Sequence, residues 1–551
     1  MKCELKLLSS LEKVQFEIPK GISEHTHGSM LKNEIYSFQL AICGLEPTAN
    51  RFTCILKVQS ELEPYIKVKR VEYVPVLVPS IEIDDDDDYI SKIPGLFPDA
   101  LQSLEDGKVE YFYKKANAYW ITIEPNCKKT GIYPITLQLM DGKEQVFAEK
   151  TFTIEIIDAL LPESRVCNTG WFHGDCLAKL HHVDIMSEAY WEIVEKYVAV
   201  YTKFGHNMIL TPVFTPPLDT EVGKERLTNQ LVDVFLDKGQ YTFGFEKLKR
   251  WMNMCHRQGI RYFEMAHLFT QWGAKHAPMI MATVNGEYRR IFGWDTDALS
   301  DDYSRFLQAF LPELAAFLQE EQVMDFCYFH ISDEPFAEHE EQYLAAKKMV
   351  SSYVPAFQWI DALSDYSFYE KGIVSKPVVA SDQIHTFIEH GVENLWTYYC
   401  SGQRKGVANR FIAMPSYRNR ILGYQLYKNR IEGFLHWGFN FWFTAGSTGV
   451  ANPYIDTSSG GNFQSGDGFM VYPMGDDGEV VCSIRLYVFM EAMQDMRALE
   501  LLESLTNRES VIALLEEIEG FDVYPRDSQY LLALRERVNQ FLKREALKGL
   551  H

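Results

Sequence analysis

From about residue 165 the chain settles into an alternation of apolar strand and amphipathic helix, and this rhythm restricts its fold more than any other feature. Eight segments read as strands: "RVCNTGWFHGD", "NMILTPVF", "RYFEMAHLF", "DFCYFHISDE", "FQWIDALS", "PVVASDQ", "NLWTYYC" and "GFLHWGFNFW". They are continuous apolar runs, the pattern of parallel strands covered on both faces. Helical stretches such as "SEAYWEIVEKYVAVYTKFG" and "DDYSRFLQAFLPELAAFLQEE" separate most of them, with Phe306, Phe310, Leu314 and Phe317 at helical spacing. Eight such units predict a (β/α)8 TIM barrel within an α/β chain, over residues 163–505. The Gly- and Ser-rich segment "TAGSTGVANPYIDTSSGGNFQSGDGFMVYP" after the last strand is expected on the C-terminal rim, where barrels carry their chemistry.

Residues 1–162 alternate apolar and polar positions with period two in short runs such as "YSFQLAICGL", "GIYPITLQLM" and "FAEKTFTIEII". These runs predict an N-terminal β-sandwich. Residues 506–551 read as a C-terminal helical extension. The run Asp84–Asp88 reads as a solvated acidic loop, with calcium binding as the alternative.

A net charge of −22 repels phosphate backbones and anionic lipid, so neither nucleic acid nor a membrane is an expected partner. No apolar run is long enough to cross a bilayer, and the N-terminus lacks the apolar core of a secretory signal, so a cytoplasmic location is expected. Ten scattered cysteines without a C-x-x-C pair read as reduced core residues. Neither a metal nor another cofactor is expected.

The fourth strand candidate ends "FHISDEP", setting Asp333 and Glu334 side by side before Pro335. At the C-terminal end of a barrel strand they face the mouth, and the proline is expected to hold Glu334 extended. Neighbouring carboxylates disfavour each other's ionisation, which keeps one proton available. Successive strand residues diverge, so the two are badly placed to flank one anomeric carbon as acid and nucleophile. They suit a sugar that supplies its own nucleophile, a 2-acetamido group. Glu334 would protonate the leaving oxygen while Asp333 steadies the acetamido N–H, with retention of configuration.

Around this catalytic pair, sugar-binding roles are assigned to His173 and Asp175 in "WFHGD", to His330, to Asp361 and Tyr366 in "WIDALSDYSFY", to Tyr398 and to Asp467 in "SGDGF". Trp359, Trp396 and Trp437 are the candidate stacking walls for a pyranose. His173 and Asp175 could instead be half of a metal site.

The segments "FHISDEP", "GFLHWGFNFW" and "SGDGFMVYP", the last leading into "SIRLYVFMEAMQD", resemble the catalytic-domain family of glycoside hydrolase family 123. The resemblance covers roughly residues 165–500. It implies a β-N-acetylgalactosaminidase using substrate-assisted hydrolysis, with Asp333 orienting the acetamido group and Glu334 as acid/base. Exo action is expected, and the absence of a secretory signal points to imported oligosaccharides or glycoconjugate fragments as substrates. Two other readings stay open. One is a conventional retaining glycosidase with Glu334 as acid/base and Asp361 or Asp382 as nucleophile; the other is a non-catalytic carbohydrate-binding barrel.

Overall fold

The computed structural model describes residues 2–47, 52–82, 86, 88–124, 130–271 and 273–548. The chain forms a mixed α/β fold of two compact units. One comprises Met1–Ser164, Arg404–Asn429 and Gln464–His551; the other comprises Arg165–Gln403 and Arg430–Phe463.

The second unit is organised by a nine-stranded parallel sheet whose strands are β1 (Cys167–Gly170), β2 (Met208–Thr211), β3 (Tyr262–Met265), β4 (Cys327–Phe329), β5 (Gln358–Trp359), β6 (Asp361–Ala362), β7 (Pro377–Ala380), β8 (Trp396–Tyr398) and β9 (Gly433–His436). Their order is β5-β4-β3-β2-β1-β9-β8-β7-β6. The two edges are halves of one segment interrupted at Ile360, so the sheet nearly closes on itself. All eight expected strand segments contribute to it. Every residue of β1, β2, β4, β7, β8 and β9 is buried, which is why they read as unbroken apolar runs.

Two flanking helices begin where the sequence supplies a cap. The Ser187 hydroxyl accepts from the Tyr190 N–H at the start of Glu188–Lys203, and Ser300 does the same for Tyr303 at the start of Asp301–Glu320. Phe306, Phe310 and Leu314 are buried at four-residue intervals, while Phe317 stacks on Phe245 with ring centroids 4.7 Å apart. An addition the sequence did not announce is a four-stranded sheet of Gln240–Gly244, Asp233–Asp237, Ile280–Val284 and Glu287–Phe292, in that order.

In the first unit, a seven-stranded antiparallel sheet and a five-stranded sheet contribute to one hydrophobic cluster. Phe38, Leu40 and Ile42 come from the former and Ile135, Leu137 and Leu139 from the latter, each set at period two. Each such side chain removed from water contributes roughly 1.5–3 kcal/mol.

The expected span 163–505 is therefore interrupted, because Arg404–Asn429 and everything from Gln464 pack with the first unit. Ion pairing and strand pairing explain this. Arg418 Nη1 lies 2.8 and 2.9 Å from the two oxygens of Asp86, and Arg420 Nε lies 2.7 Å from Asp495 Oδ2. Val481–Ser483 pairs with Gly95–Ser103 and so extends the seven-stranded sheet. The acidic run is likewise not simply solvated: Asp86 and Asp88 face Arg418 and Arg526, while Asp84, Asp85 and Asp87 lie outside the described residues. None of the nine described cysteines is in a disulfide. Among the described residues, no helix is long and apolar enough to cross a membrane.

Candidate active site

The C-terminal ends of the parallel strands open into a cleft of about 710 Å3. Most of the strand ends deliver part of the wall: Trp171 and His173 follow β1, Leu218 and Asp219 follow β2, Gln271 follows β3, and Asp333 and Glu334 follow β4. Ala362, Tyr398 and Trp437 come from β6, β8 and just past β9. Trp437 packs on Phe463 and Phe441, each ring centroid 5.0 Å away, so the cleft has an aromatic side and an acidic side.

Strand β4 ends at Phe329, so the two carboxylates sit in the loop beyond it rather than on the strand. Glu334 does not take the extended conformation expected of a residue preceding Pro335; its φ is +43°. That left-handed conformation is strained for a side chain of this size and persists where surroundings over-determine it. Here its N–H donates to the Ala362 carbonyl at 3.0 Å, and its Oε1 accepts from the Tyr398 hydroxyl at 2.7 Å. Burial and the Glu334 carboxylate push the Asp333 carboxyl well above the usual range.

Beneath the cleft lies a buried polar network. Glu264 accepts from Trp171 Nε1 and His330 Nε2, each at 2.7 Å, and from the Thr169 hydroxyl at 2.6 Å. Burial alone would lower the His330 imidazole, but the Asp361 and Glu264 carboxylates outweigh it and raise it to about 9. His267, stacked on His330 at 4.1 Å, is driven well below its ordinary value by burial and by that charge. Asp361 accepts from the backbone N–H groups of Ile331 and Ser332 at 3.0 and 3.2 Å, and from the Tyr343 hydroxyl. It fixes the backbone leading into Asp333.

On the far side of the mouth, Arg226 ties the segment after β2, on which it lies, to the segment after β1. It donates to both oxygens of Asp175 at 2.9 and 3.0 Å, to His173 Nδ1 at 3.2 Å and to the Leu218 carbonyl at 2.9 Å. Because a guanidinium only donates, His173 Nδ1 is the unprotonated nitrogen, and Nε2–H donates to the Trp437 carbonyl at 3.2 Å. Burial and the Arg226 charge lower this imidazole to about 3. A cation already occupies the position between His173 and Asp175 that the metal alternative would need.

Of the residues predicted to meet substrate, the cleft brings together His173, Asp333, Glu334, Tyr398 and Trp437. The others lie elsewhere. Asp175, His330 and Asp361 are buried in the ion pairs just described. Trp359 packs on Phe329 and Phe357, and Trp396 is buried against Tyr328, two residues deeper on the same face of β8 as Tyr398. Tyr366 starts the helix Tyr366–Glu370 and packs on His390 and Phe387. Asp467 belongs to the first unit and is fully buried there. Trp171, Asp219, Gln271 and Phe463 line the cleft without a predicted role; for Asp219 and Gln271 the available signal is their place in loops following strand candidates.

The model of the glycoside hydrolase 123 catalytic domain matches residues 171–502, more than half of the chain. The chain belongs to the glycoside hydrolase 123 family. Among solved structures, this family 123 chain is similar to a family 123 glycoside hydrolase from Clostridium perfringens described in connection with glycolipid glycan hydrolysis. The two are 16% identical, with 100% of each chain covered and a TM-score of 0.75. Weaker likenesses carry no argument: a β-D-glucuronidase from Dictyoglomus thermophilum has a TM-score of 0.34 at 8% identity, covering 89% of this chain and 97% of its own. No curated protein sequence matches the chain. Family membership makes it a glycosidase acting on glycans.

Proposed function

We propose that this protein is a retaining, exo-acting β-N-acetylhexosaminidase, built on a (β/α)8 barrel with an N-terminal β-sandwich, that releases terminal β-linked N-acetylgalactosamine with help from the substrate's own acetamido group. The observation that carries this reading is the pair Asp333 and Glu334 in one cleft, while the rival nucleophiles are engaged elsewhere. Asp361 is buried on backbone N–H groups, and Asp382 is exposed and accepts from Gln403 at 3.0 Å.

Glu334 delivers a proton to the glycosidic oxygen as the C1–O bond breaks, and the acetamido carbonyl oxygen closes on C1. Asp333, whose raised carboxyl holds the pair's proton in the free protein, passes it to Glu334 as the sugar binds; as a carboxylate it then accepts the acetamido N–H and balances the charge of the oxazolinium ring. Water then adds to C1 while Glu334 takes back a proton, so the β configuration is retained. The aromatic side of the cleft, Trp171, Trp437 and Phe463, suits the apolar face of a pyranose. The glycolipid connection of the Clostridium perfringens relative favours a glycoconjugate as the source of the sugar.

One observation supports a second reading: Asp219 also lines the cleft, so a conventional mechanism with Glu334 as acid and Asp219 as nucleophile has a candidate residue. Hydrolysis of aryl β-glycosides of N-acetylgalactosamine, N-acetylglucosamine and galactose separates the two. Turnover confined to the acetamido sugars, with inhibition by a thiazoline mimic of the oxazoline, is the expected result. Turnover of the galactoside alone overturns the substrate-assisted reading.

A further inference from the structure

We propose that Asp219 is a specificity-determining residue, accepting a hydrogen bond from a ring hydroxyl of the bound sugar away from the bond being broken. This rests on the reading above, which assigns Glu334 to the glycosidic oxygen and Asp333 to the 2-acetamido group. What remains for recognition on a hexopyranose is the hydroxyls at C3, C4 and C6.

Asp219 is built into place for such a contact. Its N–H donates to Gln271 Oε1 at 2.8 Å, its carbonyl accepts from the Ser447 hydroxyl at 2.7 Å, and the preceding carbonyl, of Leu218, accepts from Arg226 at 2.9 Å. With the backbone held from three directions, its φ of +40° is a strained conformation that aspartate tolerates better than most residues. The side chain is less committed. It lines the cleft, and its Oδ2 is buried without a hydrogen-bond partner among the described residues. A buried acceptor without a donor is costly, and turning the carboxyl into the cleft that Asp219 lines lets a sugar hydroxyl supply that donor. Burial also raises this carboxyl to about 6 against the pull of Arg226 and the Gly446 backbone, as expected of an acid whose surroundings leave it under-satisfied. The nearby Asp175 and His173 do not share this state: both are spent on Arg226.

The test pairs two variants with a set of deoxy substrates. Asp219→Asn keeps the left-handed backbone and one neutral acceptor; Asp219→Gly keeps the backbone and removes the side chain. Both are assayed on an aryl glycoside of the preferred sugar and on its 3-, 4- and 6-deoxy analogues. Asp219→Gly is expected to lower kcat/KM on the parent about 10- to 100-fold, the scale of one lost hydrogen bond to a charged group. One of the deoxy substrates should be hydrolysed equally by wild type and variant, and Asp219→Asn should fall between them on the parent. An equal loss on all four substrates overturns the proposal. So does a loss of about 10^4-fold or more that azide restores, which marks a nucleophile. If wild type hydrolyses plain glycosides but no acetamido sugar, the substrate-assisted reading fails, and the same cycle on the plain deoxy series still decides the role of Asp219.

Discussion

The Tyr398 hydroxyl donates to Glu334 Oε1 over 2.7 Å, linking the end of β8 to the loop that follows β4. Burial and the adjacent Glu334 carboxylate hold the Tyr398 phenol well above its ordinary value, so it remains a donor across the working pH range. Tyr398→Phe removes the tether and leaves the ring. The expected outcome is a fall in kcat of about 10- to 100-fold with KM little changed, since a misaligned acid harms the transition state more than binding. Steady-state kinetics on aryl substrates checks it, with the larger loss on poorer leaving groups.

Glu334→Gln and Asp333→Asn should fail in different ways. Without the acid, substrates with poor leaving groups slow most, by roughly 10^2- to 10^4-fold, while an activated aryl glycoside retains more activity. Without Asp333, all acetamido substrates slow whatever their leaving group. A leaving-group series plotted for each variant distinguishes the two roles, and parallel plots would contradict the division of labour.

Asp361 has the residue type of a substrate ligand and stands in the structure as a support. Its Oδ1 satisfies the N–H groups of Ile331 and Ser332, the two residues immediately before Asp333. Asp361→Ala strands both donors in a buried place and should cost about 2–4 kcal/mol of stability. The urea midpoint should fall at unchanged slope. Asp361→Asn, which keeps one carbonyl acceptor, should lose less.

The strand-helix rhythm makes the parallel sheet legible, because burial on both faces leaves an unbroken apolar run in the sequence. The adjacent carboxylates are legible for a related reason: a strand's C-terminal end points at the mouth. What escapes is depth. Trp396 and Tyr398 share a face of β8, yet only Tyr398 reaches the cleft, and nothing in "NLWTYYC" says where along the strand the mouth begins. Asp361 and His330 have the chemistry of ligands, but their partners Tyr343 and Glu264 lie 18 and 66 residues away. Asp467 is expected at the cleft because its segment follows the last strand, whereas the chain crosses to the other unit between Phe463 and Gln464.

The buried His330–Glu264 pair predicts a stability dependence in alkali. The His330 imidazole is raised from 6.5 to about 9 in the folded protein. A raised base contributes its full stabilisation below the unfolded value and loses it as pH climbs through the folded one. Wild type should therefore lose up to about 3 kcal/mol between roughly pH 6.5 and 9.5 relative to His330→Gln, which lacks the titrating ring. His173, lowered to about 3, acts in the opposite window, where stability falls as pH drops below 6.5. Tm measured against pH for both proteins gives the difference, and parallel curves above about pH 7 would remove the imidazolium from the account.

Gly433 opens β9, and a Cβ placed on it would lie 1.9 Å from the Trp396 indole. No rotation of so large a buried ring relieves that overlap inside a packed sheet, so Gly433→Ala must displace Trp396 or the strand beneath it. Overpacking of this kind costs about 1–3 kcal/mol or more. The displacement has a route to the chemistry, because Trp396 lies two residues before Tyr398 on the same short strand, and Tyr398 tethers Glu334. Gly433→Ala should therefore lower both Tm and kcat, with the leaving-group dependence of Tyr398→Phe. Combining the two substitutions should add little further loss in kcat, since both act through one hydrogen bond. A double variant whose losses in kcat simply multiply would show that the glycine acts on the site by another path.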